Sequence, residues 1–413
     1  MSVMGGLDLA TVQQQESERL LQTYERYPIL LTHGRGCYVY DAAGKEYLDL
    51  LSGIGVTALG HAHPAITEAI AQQAGRLVHT SNLFYHEFQA ELGQKLTKLS
   101  GLSRAFFCNS GTEAVEGALK LARAFARAQQ PESKRPKWRI LAFENSFHGR
   151  TYGSVSITAT KKYRAPFAPL VPGVGFVKAN NGADFDKKFD DSVCAVVVEA
   201  IQGEGGIRPV NPEFLRHVRE VTRNRGAVLI ADEIQSGLGR TGHWFAYQMY
   251  DVLPDVVTVA KPLANGLPLG AILVSEPVAA AIHPGMHGTT FGGGPLACAV
   301  ALKVLETIER QNLPAHNAEV GGYFRSRLEG LKAQHKFVRE VRGAGLMLGA
   351  QVDTAGRAKA IVKEAMARGV ILNRTNDKVL RFLPPFIISQ QEIDRAIEVL
   401  EGVFGQVEKD HVK

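Results

Sequence analysis

The pattern of apolar and polar positions changes near Arg104, where short apolar runs begin to alternate with amphipathic helical stretches. Several runs are continuously apolar and β-branched, which is typical of parallel strands that are buried on both faces. The alternation is that of βαβ units and predicts an α/β fold with a mostly parallel sheet. The runs span residues 105–108, 140–143, 194–198, 228–231, 256–259 and 271–274.

The two ends of the chain carry other patterns. Residues 11–25 predict a helix, and residues 37–41 and 46–50 predict the strands of a hairpin. Helical spacing over residues 296–311 predicts a helix that leads out of the main sheet. A smaller α/β domain is predicted beyond it, with strands at 346–352 and 379–383 and helices at 356–368 and 390–403.

Size and charge narrow the class of protein. The 413 residues suffice for about two or three domains. The formal net charge is only +6 and no block of like charges occurs, so the sequence predicts no nucleic-acid partner. No apolar run approaches the ~18 residues of a membrane span. The four cysteines are widely separated and no basic residue precedes Arg19, which together favour a cytoplasmic protein.

Polar groups follow five of the predicted strands, where an α/β sheet binds its ligands. Ser110, Gly111 and Thr112 begin a helix over residues 113–128, whose free N–H groups and dipole suit a phosphate. Taken alone, this segment favours a simple helix cap at Ser110. The segment from Phe147 to Arg150 follows the second strand, and Glu199 closes the third.

Asp232 closes the fourth predicted strand, and Lys261 follows the fifth. A desolvated lysine amine is a nucleophile, although most lysines are solvated surface groups. Asp232 fits either a helix cap or a buried carboxylate that pairs with a cation such as a protonated pyridine nitrogen. His61 and His63 have no further ligand nearby and predict a turn, so no metal site is expected.

Seven segments resemble the motifs of class III aminotransferases, and within that class most resemble the acetylornithine aminotransferases. They are FFCNSGTEA, FHGRT, EAIQGEGG, ADEIQSGLGRTG, VAKPLANGLPLGA, HGTTFGGGPLA and VLRFLPP. The resemblance covers the chain from about Tyr24 to Val403. It implies the fold type I architecture of pyridoxal-phosphate-dependent transferases, and a homodimer with active sites at the subunit interface. It also implies a small-domain segment at 1–55, a large cofactor-binding domain at 56–295 and a small domain at 296–413.

The resemblance assigns roles to individual residues. Lys261 matches the lysine that holds pyridoxal 5'-phosphate as a Schiff base, and Asp232 matches the partner of the pyridine nitrogen. The other cofactor positions are Ser110, Gly111 and Thr112 around the phosphate, Phe147 and Ile234 against the ring, Gln235 near the ring hydroxyl, and Thr290 donated to the other subunit. The substrate positions are Tyr24, Arg150, Glu199, Glu204, Thr289 and Arg381.

The implied reaction moves the terminal amine of N2-acetylornithine to 2-oxoglutarate, which becomes glutamate, in arginine biosynthesis. Ile54 stands where ornithine aminotransferases carry a Tyr, which favours an acylated substrate. Val115, Ala200 and Gly294 also depart from the common pattern and weaken the exact substrate assignment. Succinylornithine, N-acyl-diaminopimelate, 4-aminobutyrate and carrier-linked lysine are alternative substrates, and a cofactor-binding regulator without turnover is a remote alternative.

Glu204 and Arg381 carry a further expectation. Arg381 is expected to bind the carboxylate that glutamate alone has beside its reacting carbon, and Arg150 the distant carboxylate that both substrates share. Glu204 is expected to cover Arg381 for one substrate and to swing away for the other. A fixed structural ion pair is the alternative.

Overall fold

A computed structural model describes residues 8–134 and 136–410. The helices are α1 Leu9–Arg19, α2 Ser52–Gly55, α3 Pro64–Ala74, α4 Glu87–Ser100, α5 Gly111–Gln129, α6 Tyr152–Ile157, α7 Lys161–Arg164, α8 Gly182–Lys188, α9 Pro212–Asn224, α10 Glu276–Ala280, α11 Pro295–Arg310, α12 Leu313–Gln334, α13 Ala355–Ala367 and α14 Gln390–Asp410. The strands are β1 Leu31–Arg35, β2 Tyr38–Asp41, β3 Glu46–Asp49, β4 Arg104–Cys108, β5 Arg139–Phe143, β6 Val174–Val177, β7 Val193–Val198, β8 Ile201–Gln202, β9 Arg208–Pro209, β10 Val228–Asp232, β11 Val256–Val259, β12 Gly270–Val274, β13 Val338–Ala344, β14 Met347–Val352, β15 Val370–Ile371, β16 Asn373–Thr375 and β17 Val379–Phe382.

The central sheet has seven strands in the order β4-β12-β11-β10-β7-β5-β6. It contains all six predicted runs and adds β6, which the sequence pattern missed. The pairs β11–β10, β10–β7, β7–β5 and β5–β6 are parallel, so the mostly parallel α/β sheet is confirmed. Strand β12 is antiparallel to both its neighbours, so the sheet is mostly and not wholly parallel. A continuously apolar run reports burial on both faces, which does not depend on strand direction.

Strand β12 brings the loop after Lys261 next to the loop after Cys108, although the two loops are far apart in the sequence. Gly270 pairs with Cys108 at the end of β4, directly after the loop that follows Lys261. A Cβ atom at Gly270 would lie 2.6 Å from the backbone oxygen of Ser110, so only glycine permits this approach. The backbone therefore fixes the Lys261 loop beside the start of α5.

Two four-stranded sheets flank the central one, in the orders β1-β2-β3-β15 and β13-β14-β17-β16. The predicted hairpin is confirmed as β2 and β3. Strand β15, from the C-terminal third, pairs in parallel with β3, from the N-terminal segment. This pairing ties the two ends of the chain together beside the central sheet.

The predicted C-terminal strands and helices are confirmed as β14, α13, β17 and α14, and the predicted helix at 296–311 is α11. The helix predicted over residues 11–25 was wrong in extent, because α1 ends at Arg19 and Leu20 is extended. Helix α1 has no buried residue, so no packing supports a longer helix. None of the described helices combines the length and apolar character needed to cross a membrane.

Candidate functional site

One cavity of about 390 Å³ lies where the strands of the central sheet end. Residues that follow β4, β5, β7, β10 and β11 all line this cavity. The prediction that polar groups gather at one edge of the sheet is therefore confirmed. Eleven of the predicted site residues are brought together there: Ser110, Gly111, Thr112, Phe147, Arg150, Glu199, Glu204, Asp232, Ile234, Gln235 and Lys261.

The N-terminus of α5 forms one wall of this cavity. Ser110 is the N-cap residue, and its hydroxyl accepts a hydrogen bond of 3.2 Å from the backbone N–H of Glu113. A Cβ atom at Gly111 would lie only 2.8 Å from Ile234 Cδ1, so glycine lets the backbone and Ile234 meet. The hydroxyl groups of Thr112 and Thr151 are 2.7 Å apart. Free N–H groups, a helix dipole and hydroxyls form a cradle that suits a phosphate.

Asp232 is buried, and its carboxylate is held from three sides. Oδ1 accepts hydrogen bonds of 3.2 Å from the backbone N–H of Ile234 and from the Thr258 hydroxyl. Oδ2 lies 2.7 Å from His148 Nδ1, in a contact that the sequence did not predict. Burial alone would lower the pKa of His148, but the hydrogen bond and charge of Asp232 outweigh it and raise that pKa. The only sequence signal for His148 is its place beside Phe147.

Glu199 closes β7 and is also buried. Its carboxylate accepts hydrogen bonds of 3.1 Å from the backbone N–H groups of Phe147 and Gly203. Burial raises the pKa of Glu199 to about 7, with His148 acting in the opposite direction. Glu199 thus links the segment of Phe147 to the loop that carries Glu204.

Lys261 begins a short 3-10 turn directly after β11, with a backbone φ of +27°. Burial lowers the pKa of its amine, which is also subject to the charges of Glu204 and Arg381. Within the described part of the chain, no hydrogen bond or ion pair occupies the Lys261 side chain. A partly desolvated amine of lowered pKa has more of the neutral form that acts as a nucleophile.

Glu204 and Arg381 form an ion pair in the wall of the cavity. Arg381, on β17, is 1% exposed, and its Nη1 donates to Glu204 Oε1. Arg381 Nε donates to Asn373 Oδ1 at 3.1 Å, and Thr375 Oγ1 donates to the Glu204 backbone oxygen at 2.7 Å. Burial would raise the pKa of Glu204, but the charge of Arg381 outweighs it and lowers that pKa. Arg381 does not line the cavity itself, but it contacts Glu204, which does.

Arg150 lies at the exposed side of the cavity. Its guanidinium carbon is 3.6 Å from the ring centroid of Tyr163 and 5.6 Å from that of Phe147. Tyr163 was not predicted as a site residue, because it lies beyond the FHGRT motif. The two rings position a cation that is open to solvent and can meet an anionic group.

Four predicted residues do not line this cavity: Arg381, which contacts the lining residue Glu204, and Tyr24, Thr289 and Thr290. Tyr24 is 76% exposed, and Thr290 is also exposed. Thr289 accepts hydrogen bonds from Asn109 Nδ2 and from the backbone N–H of Gly292, at 3.3 and 3.2 Å. His61, considered in the sequence as a possible ligand, instead contacts Asp49 Oδ2 at 2.8 Å.

The residues of the cavity fit pyridoxal phosphate. The cradle at α5 suits the phosphate, Asp232 suits a protonated pyridine nitrogen, and Lys261 supplies an amine. Gln235 Oε1 is buried without a hydrogen-bond partner among the described residues, so it is free to meet a polar group of a ligand. Fold and site together define a pyridoxal-phosphate enzyme.

Comparison with known proteins gives the family. The family model for class III aminotransferases matches residues 21–404. The chain is 43% identical to the acetylornithine aminotransferase of Caldanaerobacter subterraneus, over 95% of this chain and 98% of that protein. It is 45% identical to the acetylornithine aminotransferase of Aquifex aeolicus, over 93% of this chain and 99% of that protein.

Solved structures agree with the fold. The ornithine aminotransferase of Toxoplasma gondii is 30% identical and superposes with a TM-score of 0.94, over 98% of this chain and 97% of that one. The chain belongs to the class III aminotransferases, and it is therefore a pyridoxal-phosphate-dependent aminotransferase.

Proposed function

We propose that the enzyme transfers the terminal amino group of N2-acetylornithine to 2-oxoglutarate, in arginine biosynthesis. The observation that carries this proposal is the ion pair of Glu204 and Arg381 in the wall of the cavity. An arginine that a carboxylate can cover suits two substrates that differ by one carboxylate near the reacting carbon. The names of the relatives support the same substrate.

The phosphate and ring of the cofactor would be held by residues that follow three strands, β4, β5 and β10. Ser110, Gly111 and Thr112 would bind its phosphate, and Phe147 and Ile234 would contact its ring. Gln235 would meet the ring hydroxyl. When bound, pyridoxal phosphate supplies a carbonyl that condenses with amines and a protonated ring that takes up an electron pair.

Two side chains would act on the reaction directly. The carboxylate of Asp232 holds a proton on the pyridine nitrogen, and His148 orients that carboxylate. Lys261 would hold the cofactor through its amine, and its Nζ would be the base that takes the proton from the substrate carbon that bears the amine. The lowered pKa of Lys261 favours the neutral base that this step needs.

Arg150 and Arg381 would bind the carboxylates of the two substrates, and Arg381 would distinguish between them. Arg150 binds the carboxylate far from the reacting carbon, which acetylornithine and glutamate share. Arg381 binds the near carboxylate of glutamate. With acetylornithine bound, Glu204 pairs with Arg381, because an unpaired buried cation is costly. Glu199, Thr289 and Tyr24 are proposed to complete the substrate site.

Ile54 supports an acylated substrate. Its backbone φ is +68°, which is strained for a β-branched residue, and it lies in α2 close to Val56 of the cavity wall. An aliphatic side chain here offers no hydroxyl to the α-amine of free ornithine. An acetyl group removes the charge of that amine and needs no such partner.

We also propose a cytoplasmic homodimer with shared active sites. Thr290 would reach the cofactor phosphate of the partner subunit. Several large apolar side chains around it are exposed and would be covered by a second copy: Leu83, Phe84, Tyr85 and Phe291. The four free cysteines are buried and suit a reducing compartment.

We further propose the domain division at 1–55, 56–295 and 296–413, which the β3–β15 pairing supports. Residues 1–7, 135 and 411–413 of these segments lie outside the described part.

A substrate panel tests the proposed activity. Each of acetylornithine, succinylornithine, ornithine and 4-aminobutyrate is mixed with the holoenzyme, and loss of the cofactor's yellow absorbance is followed in a single turnover. The proposal expects the highest kcat/KM for acetylornithine, and a higher value for ornithine would overturn it. Lys261→Ala is the matched control, because it should retain cofactor but give no turnover.

A further inference from the structure

A second cavity, of about 500 Å³, lies between the segment Glu25–Ile29 and helix α13. Its volume lies in the range of small-molecule sites, about 300–1,000 Å³. Apolar side chains, including Tyr47, Val362 and Met366, form much of its lining. The cavity does not share a lining residue with the candidate active site.

The charges that line this cavity are mostly positive. Five cations face one carboxylate, that of Glu25, and they are Arg26, Lys45, Lys359, Lys363 and Arg374. A cavity whose walls carry one sign of charge over apolar surface concentrates ligands of the opposite sign. The composition therefore favours an anion that also has an apolar body.

Only part of this positive charge is neutralised locally. Arg26 pairs with Glu16 at 2.6 Å, and Arg374 pairs with Asp377 at 3.0 Å.

The three lysines have no carboxylate partner within the described residues. Lys45 Nζ donates to the Ala367 backbone oxygen at 2.7 Å and lies 5.0 Å from the Tyr47 ring centroid. Lys359 and Lys363 are exposed on one face of α13, one turn apart. Both are open to bind an anion.

The cavity adjoins the wall that carries the ion pair of the active site. Arg374 immediately precedes Thr375, whose hydroxyl holds the backbone of Glu204. Tyr27 lines the second cavity; burial raises its pKa, while the charges of Arg374 and Arg381 oppose that rise. We propose that this second cavity binds a small organic anion with an apolar body, at a site separate from the substrate site.

The test uses 8-anilinonaphthalene-1-sulfonate, an amphipathic anion that fluoresces in apolar surroundings. It is titrated into the holoenzyme, in which the cofactor fills the first cavity. K359Q/K363Q should weaken its binding about tenfold, because two unpaired charges are removed from the rim. The control is K98Q/K187Q, which changes two exposed lysines outside this cavity and alters the net charge equally. This variant should bind the sulfonate as the wild type does.

The uncharged analogue N-phenyl-1-naphthylamine separates charge from apolar contact. Its binding should be the same in the wild type and in K359Q/K363Q. Equal affinity of these two proteins for the sulfonate, or equal weakening in K98Q/K187Q, would overturn the proposal. Neither result depends on the acetylornithine activity.

Discussion

His148 and Asp232 are joined by a hydrogen bond of 2.7 Å, and both side chains are buried. Asp232 is the last residue of β10 and His148 lies in the segment after β5, and the two strands are separated in the sheet by β7. Because the Nδ1 atom faces the carboxylate, His148 both orients Asp232 and stabilises its negative charge. The carboxylate is thereby kept ready to face a cation.

Replacing His148 should weaken catalysis without removing the cofactor. His148→Ala should slow the half-reaction with glutamate about tenfold or more, because Asp232 loses a charge-assisted partner. His148→Gln should lose less, since its amide can still donate. Rates of cofactor bleaching between pH 6 and 9 measure both variants, and wild-type rates for His148→Ala would contradict the role of this contact.

Gly111→Ala should weaken the binding of pyridoxal phosphate by at least about tenfold. The new methyl group would lie 2.8 Å from Ile234 Cδ1 and would displace either the cradle or Ile234. In an Ile234→Ala background, Gly111→Ala should weaken cofactor binding less than it does in the wild type, because the clashing side chain is already gone. Equilibrium dialysis of the cofactor gives the affinities of the wild type and the three variants. An equal loss in both backgrounds would show that the contact with Ile234 is not the cause.

Arg381→Ala should damage the two half-reactions unequally. The glutamate half-reaction should fall by about ten- to a hundredfold, because its near carboxylate loses a charged partner, and the acetylornithine half-reaction should fall far less. Glu204→Ala should shift preference toward glutamate, since Arg381 is then always free.

Single-turnover rates for each substrate decide this point. Arg339→Ala, at an exposed arginine of β13, serves as the control. Equal losses in both half-reactions for Arg381→Ala would leave a fixed structural ion pair as the explanation.

Glu199 should make the stability of the enzyme depend on pH. Its pKa is raised from 4.5 to about 7, so the folded state binds a proton that the unfolded state releases between these pH values. This contribution is fully present below about pH 4.5 and is lost as the pH rises to about 7, at most about 3 kcal/mol.

Glu199→Gln should flatten this part of the pH profile of unfolding free energy, measured in denaturant from pH 5 to 8. An unchanged slope would mean that Glu199 stays ionised in the folded state.

The strand ends show what the sequence alone could predict. Each apolar run is local, and the residue after it is visible in the sequence, so Lys261 and Asp232 could be placed at one edge of a sheet. The direction of β12 could not be predicted, because it depends on which neighbours the strand pairs with. His148 was missed for the same reason, since its partner lies two strands away.

Residues outside the sheet were harder to predict. Strand β13 and helix α12 were missed, and α12 contains a Pro and three Gly residues and has little apolar periodicity. Tyr24 and Thr290 were assigned by resemblance, and one chain cannot bring them to the cavity if they serve a second subunit. Tyr163 contacts Arg150 only because α7 folds back beside the loop of Phe147.

The pairing of Gly270 with Cys108 has a mechanical consequence for the enzyme. It sets the spacing between the amine that would hold one end of the cofactor and the cradle that would hold the other, through main-chain hydrogen bonds. Adjacent strands keep a separation of about 4.8 Å whatever side chains they carry. Substitutions of side chains in this site can therefore change which substrates are accepted. The distance between the Lys261 loop and the phosphate cradle stays constant, because the backbone sets it.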